Sequence, residues 1–246
     1  MALERILYIP DLHAPYHDKQ AWRLVLKVAR TFKPHTIITM GDFGDFYSVS
    51  RHAKSPHRDR KLRWELDSVN ACLDQLDALG ASRKIFIGGN HESRLTRYLQ
   101  EKAPELFDVV TIPELLHLPT RHWEYVPYGK HIRLGKVFHT HDVGAAGRYA
   151  CHRALDYYKH GVVTGHVHRM GYVVEGNLGG DTQISANFGW LGDRRQIDYA
   201  QEGKVERDSA LGFGIGYHDP ATHFVYLTPI PIVKNSCVVE GKLYRC

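Results

Sequence analysis

A chain of 246 residues, 43% hydrophobic and 24% charged, is long enough for a sizeable core and excludes a disordered or coiled-coil protein. Its net charge of +5 suits an anionic partner without requiring one, and no apolar run approaches the roughly 20 residues of a membrane helix. Met1-Ala2-Leu3-Glu4-Arg5 passes straight into a short apolar run, so no leader is expected and the chain is read as cytoplasmic. Cys72, Cys151, Cys237 and Cys246 lack a C-x-x-C spacing, which points to neither a zinc ribbon nor a redox pair. Histidine is the outlier, with seventeen residues.

Arg5 to Pro10 predicts a buried strand ending in the loop Asp11-Leu12-His13. Asp18 is placed to cap a helix carrying Trp22, Leu24, Val25, Leu26, Val28 and Ala29, which stops before Pro34. Thr36 to Met40 predicts a second strand, followed by Gly41-Asp42. Leu62, Leu66, Val69, Leu73 and Leu76 recur at helical spacing, with Gly80 as the stop. Lys84 to Ile87 begins a third strand, which runs into Gly88-Gly89-Asn90-His91-Glu92. That alternation predicts a parallel sheet with covering helices.

A further helix is expected over Arg94 to Gln100, and an irregular, helix-prone stretch over Pro104 to Pro119. Strands are expected at His131 to Thr140 and Val162 to Thr164, around a helix at Arg148 to Tyr158. Later strand candidates are Gly171 to Glu175, Thr182 to Ala186, Gly212 to Tyr217 and His223 to Leu227, the last two joined across Asp219-Pro220. No linker or repeat divides the chain, so residues 1–246 are read as one domain: an α/β fold of two facing mixed sheets flanked by helices.

Five apolar runs deliver chemistry at their ends: Asp11-x-His13, Gly41-Asp42, Gly89-Asn90-His91-Glu92, His139-Thr140-His141 and Gly165-His166-Val167-His168. Ligands of open α/β sheets gather at the carboxyl ends of strands, so these segments are expected on one rim. Mixed imidazole and carboxylate donors suit Zn, Fe, Mn or Ni better than Ca or Mg. Gly41, Gly89 and Gly165 would let the backbone approach the metals closely. Each motif alone is explained by a polar turn at a strand end; all five in order are not.

The set D-x-H, G-D, G-N-H-[DE], H, G-H-x-H resembles the calcineurin-like metallophosphoesterases over roughly residues 5 to 170, with the remainder expected to complete the second sheet. The texture GNHESRLTRYL followed by YVPYG looks like the phage and bacterial branch. The resemblance implies a four-layer αββα sandwich that holds two divalent ions, with Mn the first choice and Fe, Zn, Ni or Mg open. One metal would be held by Asp11, His13 and His168, the other by Asn90, His141 and His166, with Asp42 bridging. A metal-bridging hydroxide would attack phosphorus, and His91 would protonate the leaving oxygen. Aligning T-H favours His141 in the fourth block and aligning H-T-H favours His139; alternation lets either face the metals, and the strand-end position favours His141. Asp45 is expected to orient a ligand, and Phe46-Tyr47 replaces the Arg-Gly of the protein phosphatase branch.

For substrate, Arg51, His52, Lys54, His57, Arg58, Arg60, Lys61 and Arg63 form a basic cluster before a helix, where cations oppose the helix dipole and phosphate would relieve them. Arg58, Arg60 and Arg94 are the candidate substrate contacts, with Arg97 placed similarly. Tyr47, Trp64, Tyr149 and Trp190 could stack on bases or simply pack. His17, His35, His117, His122 and His131 match no motif and are read as surface or hydrogen-bonded residues, and Cys72 as packing. The expected function is a dinuclear phosphodiesterase or nuclease on nucleotide or nucleic-acid substrates. The alternatives are a small-molecule phosphomonoesterase, a non-catalytic metal-binding scaffold and a metal store.

Overall fold

The structure is a computed structural model that describes residues 2–51, 61–176, 178–197 and 209–246. β1 (Glu4–Ile9) leads to α1 (Lys19–Phe32), where the Asp18 carboxylate accepts the amides of Gln20 and Ala21, both at 2.9 Å. β2 (Thr36–Thr39), α2 (Leu62–Asp77), β3 (Arg83–Ile87), α3 (Ser93–Lys102), a short α4 (Ile112–Leu115) and β4 (Glu124–Val126) follow. Next come β5 (Ile132–Leu134), β6 (Val137–His139), α5 (Ala150–Tyr158), β7 (Gly161–Thr164), β8 (Met170–Gly176) and β9 (Thr182–Phe188). β10 (Gly212–His218), β11 (Val225–Pro231), β12 (Ser236–Val239) and β13 (Lys242–Arg245) complete the order.

Six strands form one sheet in the order β11-β10-β1-β2-β3-β4, and five form another, β5-β6-β7-β9-β8. β1 to β4 run parallel, whereas β10 lies antiparallel to β1 with Gly214 opposite Tyr8. Period-two alternation sorts each strand's side chains between two cores. Leu7 and Ile9 join Phe86 and Phe213 beneath Val25 of α1 and Leu73 of α2. Ile6 and Tyr8 turn the other way, with Ile38, Met40 and Ile85, onto Val137, Val163, Ile184 and Phe188 of the second sheet. On that sheet's outer face, Ala154 and Leu155 of α5 cover Val162. The layers are therefore helix, sheet, sheet, helix, as expected.

Three details differ from expectation. Residues beyond 170 do not all complete the second sheet: β8 and β9 do, but β10 and β11 extend the first. The segment 131–140 is a hairpin, because Gly135 turns the chain at φ 53° where any Cβ would meet the His223 carbonyl. The β12–β13 hairpin was not expected; it docks through Cys237, Val239 and Tyr244 into the core that α1 covers. His17, expected at the surface or hydrogen-bonded, is the latter: it is 2% exposed, 3.0 Å from the Lys19 ammonium and beside Trp22, and burial pulls its imidazole down to about 3.

Removing the α1 cap with Asp18→Ala should cost about 1 kcal/mol. The urea midpoint should fall without a change in slope, and an unchanged midpoint would show that the cap contributes nothing.

Candidate metal centre

All five motif segments meet at one rim. Asp11 and His13 follow β1, Asp42 follows β2, Asn90 and His91 follow β3, His141 follows β6, and His166 and His168 follow β7. Asp11, His13 and His168 form one group and Asp42, His141 and His166 another, each with donor atoms within 4.8 Å of one another. In the first, His168 Nε2 lies 3.1 Å from His13 Nε2 and 3.2 Å from Asp11 Oδ2. In the second, His141 Nε2 lies 3.3 Å from Asp42 Oδ2. Asn90 Oδ1 sits 2.9 Å from both His141 Nε2 and His166 Nδ1. The structure thus brings together every residue that the resemblance implied as a ligand.

The chemistry of these donors fits a cation. His141 Nδ1 donates to the Met40 carbonyl at 2.8 Å, which in the neutral ring leaves a lone pair on Nε2. That lone pair faces two oxygen acceptors, Asp42 Oδ2 and Asn90 Oδ1, an arrangement that needs positive charge between them. Burial disfavours charge on His141, yet Asp42 and then Asp11 lift it to about 10. Burial alone would also raise the Asp11 and Asp42 carboxyls, but His168 and His141 respectively hold them below the usual range. His13 is pulled down to about 4 by burial and by the neighbouring His91, and so stays a neutral donor. Each site demands a charge that a proton or a divalent ion can supply.

Backbone geometry is specialised to match. His13, Asp42, His166 and His168 have φ of 54°, 48°, 66° and 54°, a left-handed conformation that costs each about 1 kcal/mol or more. The glycines beside the ligands are required by close approach. A Cβ on Gly41 would strike the His141 ring, one on Gly89 the Asp42 carboxylate, and one on Gly165 would come within 2.6 Å of Asp11 Oδ1.

Two carboxylates hold this arrangement from behind. Asp45 Oδ1 lies 3.1 Å from His13 Nδ1 and 2.9 Å from His91 Nδ1, orienting both rings, and the two histidines keep its carboxyl far below the usual range despite burial. Glu92 accepts the amides of Asp42 (3.0 Å), Gly44 (2.8 Å) and Gly89 (2.7 Å), tying the loop after β2 to the loop after β3. Burial, and then the Asp42 carboxylate, push Glu92 up to about 7 against the Gly44 and Gly89 amides. In the sequence Glu92 stands out only as the last letter of Gly89-Asn90-His91-Glu92. Its three-residue spacing from Gly89, the spacing of a capping box, was the available signal.

His91 is 4% exposed, with Nε2 3.8 Å from Asp42 Oδ2 and 2.9 Å from Arg94 Nη2. Burial opposes its charge, but Asp42 and Asp45 raise the imidazole above its ordinary value. Arg94 also donates to the Asp45 carbonyl at 2.8 Å. The other two substrate candidates, Arg58 and Arg60, lie outside the described residues, as do His52, Lys54 and His57. Arg51 pairs with Glu101.

His139 does not reach the rim. Strand alternation sends it the same way as Val137, into the core between the sheets, where it stacks on Tyr8 with Nε2 3.2 Å from the hydroxyl. The idea that either histidine of the fourth block could face the metals therefore fails: the chain leaves the strand after His139, and His141 alone turns to the rim. Trp190 is fully buried and stacks on His168 at 4.6 Å, and Tyr47 is 8% exposed, so neither can receive a base. Trp64 and Tyr149 are exposed.

Glu92→Gln places an amide donor against backbone N–H groups and should cost about 1–3 kcal/mol. It should also weaken metal uptake, read by chemical denaturation and by calorimetric titration with Mn²⁺. Stability and affinity equal to the parent would remove Glu92 from the scaffold of the site.

Among the described residues no helix is long and apolar enough to cross a membrane. The chain is 26% identical over 263 aligned residues to the Gene 54 protein of Mycobacterium phage L5, spanning 98% of this chain and 99% of that protein. It is similarly 26% identical over 256 residues to the Gene 54 protein of Mycobacterium phage D29, with the same coverage. Among solved structures, Vacuolar Protein Sorting 29 from Cryptosporidium parvum aligns over 99% of this chain and 95% of that one, with 14% identity and a TM-score of 0.49. The family pattern described as calcineurin-like phosphoesterase matches residues 4–170, more than half of the sequence, and the chain therefore belongs to the calcineurin-like phosphoesterases.

Proposed function

We propose that this protein is a dinuclear metal-dependent phosphodiesterase or nuclease acting on nucleotide or nucleic-acid esters. The observation that carries the reading is the pair of donor groups, Asp11/His13/His168 and Asp42/His141/His166, with Asn90 between two of their imidazoles. In this reading Asp11, His13 and His168 hold one ion, Asn90, His141 and His166 hold the other, and Asp42 is shared. Mn²⁺ is the first ion to try, because the donors mix nitrogen and oxygen. When bound, two such ions supply Lewis acidity for the phosphoryl oxygens and a nucleophile from water at neutral pH.

The chain's own residues do the rest. His91 serves as the proton donor to the leaving oxygen, with Asp45 fixing its ring through Nδ1. Arg94 now donates to His91 Nε2, so proton donation asks Arg94 to release that atom; an arriving phosphoryl oxygen is the natural new partner for its guanidinium. Substrate binding and arming of the acid would then be one movement. Arg58 and Arg60 are proposed as further phosphate contacts.

The test is hydrolysis of bis-p-nitrophenyl phosphate and p-nitrophenyl phosphate with added Mn²⁺. Asp42→Asn should abolish turnover and lower bound metal measured by mass spectrometry; full metal content in the variant would count against a shared Asp42. A monoester preference would favour a phosphatase, and no turnover with any divalent ion would favour a scaffold.

His91→Asn should slow diesters with alkyl leaving groups by about 10²–10⁴-fold and p-nitrophenyl esters far less. Equal slowing of both would reject His91 as the acid.

A further inference from the structure

The outer helix α1 differs from every other described α-helix: its sequence KQAWRLVLKVARTF contains no acid. Its exposed face is Lys19, Gln20, Arg23, Lys27, Arg30 and Thr31, so cations follow one another at positions i, i+4, i+8 and i+11. By contrast α2 carries Asp67 and Asp74, α3 carries Glu101, and α5 carries Asp156. Solvated helix faces ordinarily interleave the two signs, since like charges at i,i+4 destabilise a helix. No carboxylate pairs with Arg23, Lys27, Arg30, Lys242 or Arg245 among the described residues.

Grooves on both flanks repeat the same sign. One, of about 470 Å³, lies at the end of α1 and is lined by Arg5, Arg30, Lys33 and His35 with Ser82. The other, of about 390 Å³, runs between α1 and the terminal hairpin and is lined by Lys27, Lys242 and Arg245 with Thr31 and Tyr244. Lys27 bridges helix and hairpin by donating to the Arg245 carbonyl at 2.8 Å. Of the acids beside these elements, Asp18 caps the helix and Glu240 accepts the Tyr217 hydroxyl at 2.6 Å. Because α1 begins six residues after His13 and returns the chain to the start of β2, the stripe leads away from the metal rim, over roughly 16 Å between Lys19 and Arg30.

We propose that α1 and the β12–β13 hairpin form a tracking surface for the phosphate backbone of nucleic acid, separate from the metal centre. Charge complementarity selects the occupant: a regular row of cations without carboxylate partners among the described residues, flanked by basic grooves, matches a polymer of evenly spaced phosphates, read without regard to sequence. The surface does not depend on the phosphoesterase reading and would hold nucleic acid even if the metal centre acted on small esters.

The experiment measures anisotropy of a labelled DNA duplex with the full chain in EDTA, across a salt series. The double variant Arg23→Ala/Arg30→Ala should reduce the slope of log affinity against log salt by about 1.8, near 30-fold in affinity at about 0.15 M salt. Lys242→Ala/Arg245→Ala, on a different element, should reduce it by about 1.8, and Arg23→Lys/Arg30→Lys should retain it. The thermal midpoint and bis-p-nitrophenyl phosphate turnover should stay at parental values, separating loss of this surface from misfolding or from loss of the metal site. Parental slopes in both alanine variants, or capture of polyglutamate in preference to DNA by the parent chain, would overturn the proposal.

Discussion

The rim depends on one carboxylate that touches no ligand side chain. Glu92 takes the amides of Asp42, Gly44 and Gly89 on its two oxygens, so the turns after β2 and β3 cannot move independently. Asp42 and Asn90, which stand on those turns, inherit a fixed separation, and His141 and His91 are positioned against Asp42. An ordinary surface turn would leave those amides to water. Here they are buried, and a single acid satisfies all three.

Electrostatics and packing meet in the same place. The parallel strands carry apolar residues to both faces until their last residue, then release a polar turn, so charged donors lie directly above the core formed by Ile38, Met40 and Ile87. In that low-dielectric setting neighbouring charges act strongly, which is why Asp42 is held well below its ordinary titration and His141 and His91 are raised above theirs. Asp45 works on the opposite side, fixing His13 and His91 through the nitrogens that do not face the rim's other donors.

Much of this was legible in the residues because it is local. Apolar runs that stop at Asp, Asn or His announce strand ends, and the glycine before three of them announces crowding. The preference for His141 over His139 rested on its strand-end position; what the sequence did not show is that the strand stops at His139, which leaves His139 facing the inter-sheet core with Val137 and frees His141 to turn to the rim. The placement of β10 and β11 was not legible, since pairing with β1 is set by contacts some two hundred residues away in sequence and not by any local period. The terminal hairpin escaped because its strands are only four residues each and pair with no other strand. Glu92 escaped because a buried acid that serves only backbone looks, in a sequence, like one that serves chemistry.

The left-handed backbone at His13, Asp42, His166 and His168 carries a consequence for how such a site can change over time. Only glycine, asparagine, aspartate and histidine visit that conformation readily, so the positions are filtered twice, once by coordination and once by the chain's own torsion. Under the proposed two-metal reading, exchanges among Asp, Asn and His would retune the site while leaving the turns intact. Glutamate and cysteine, competent ligands elsewhere, would have to bend the backbone first. The range of side chains open to these four positions is thereby narrowed by stereochemistry before selection for any ligand or substrate begins.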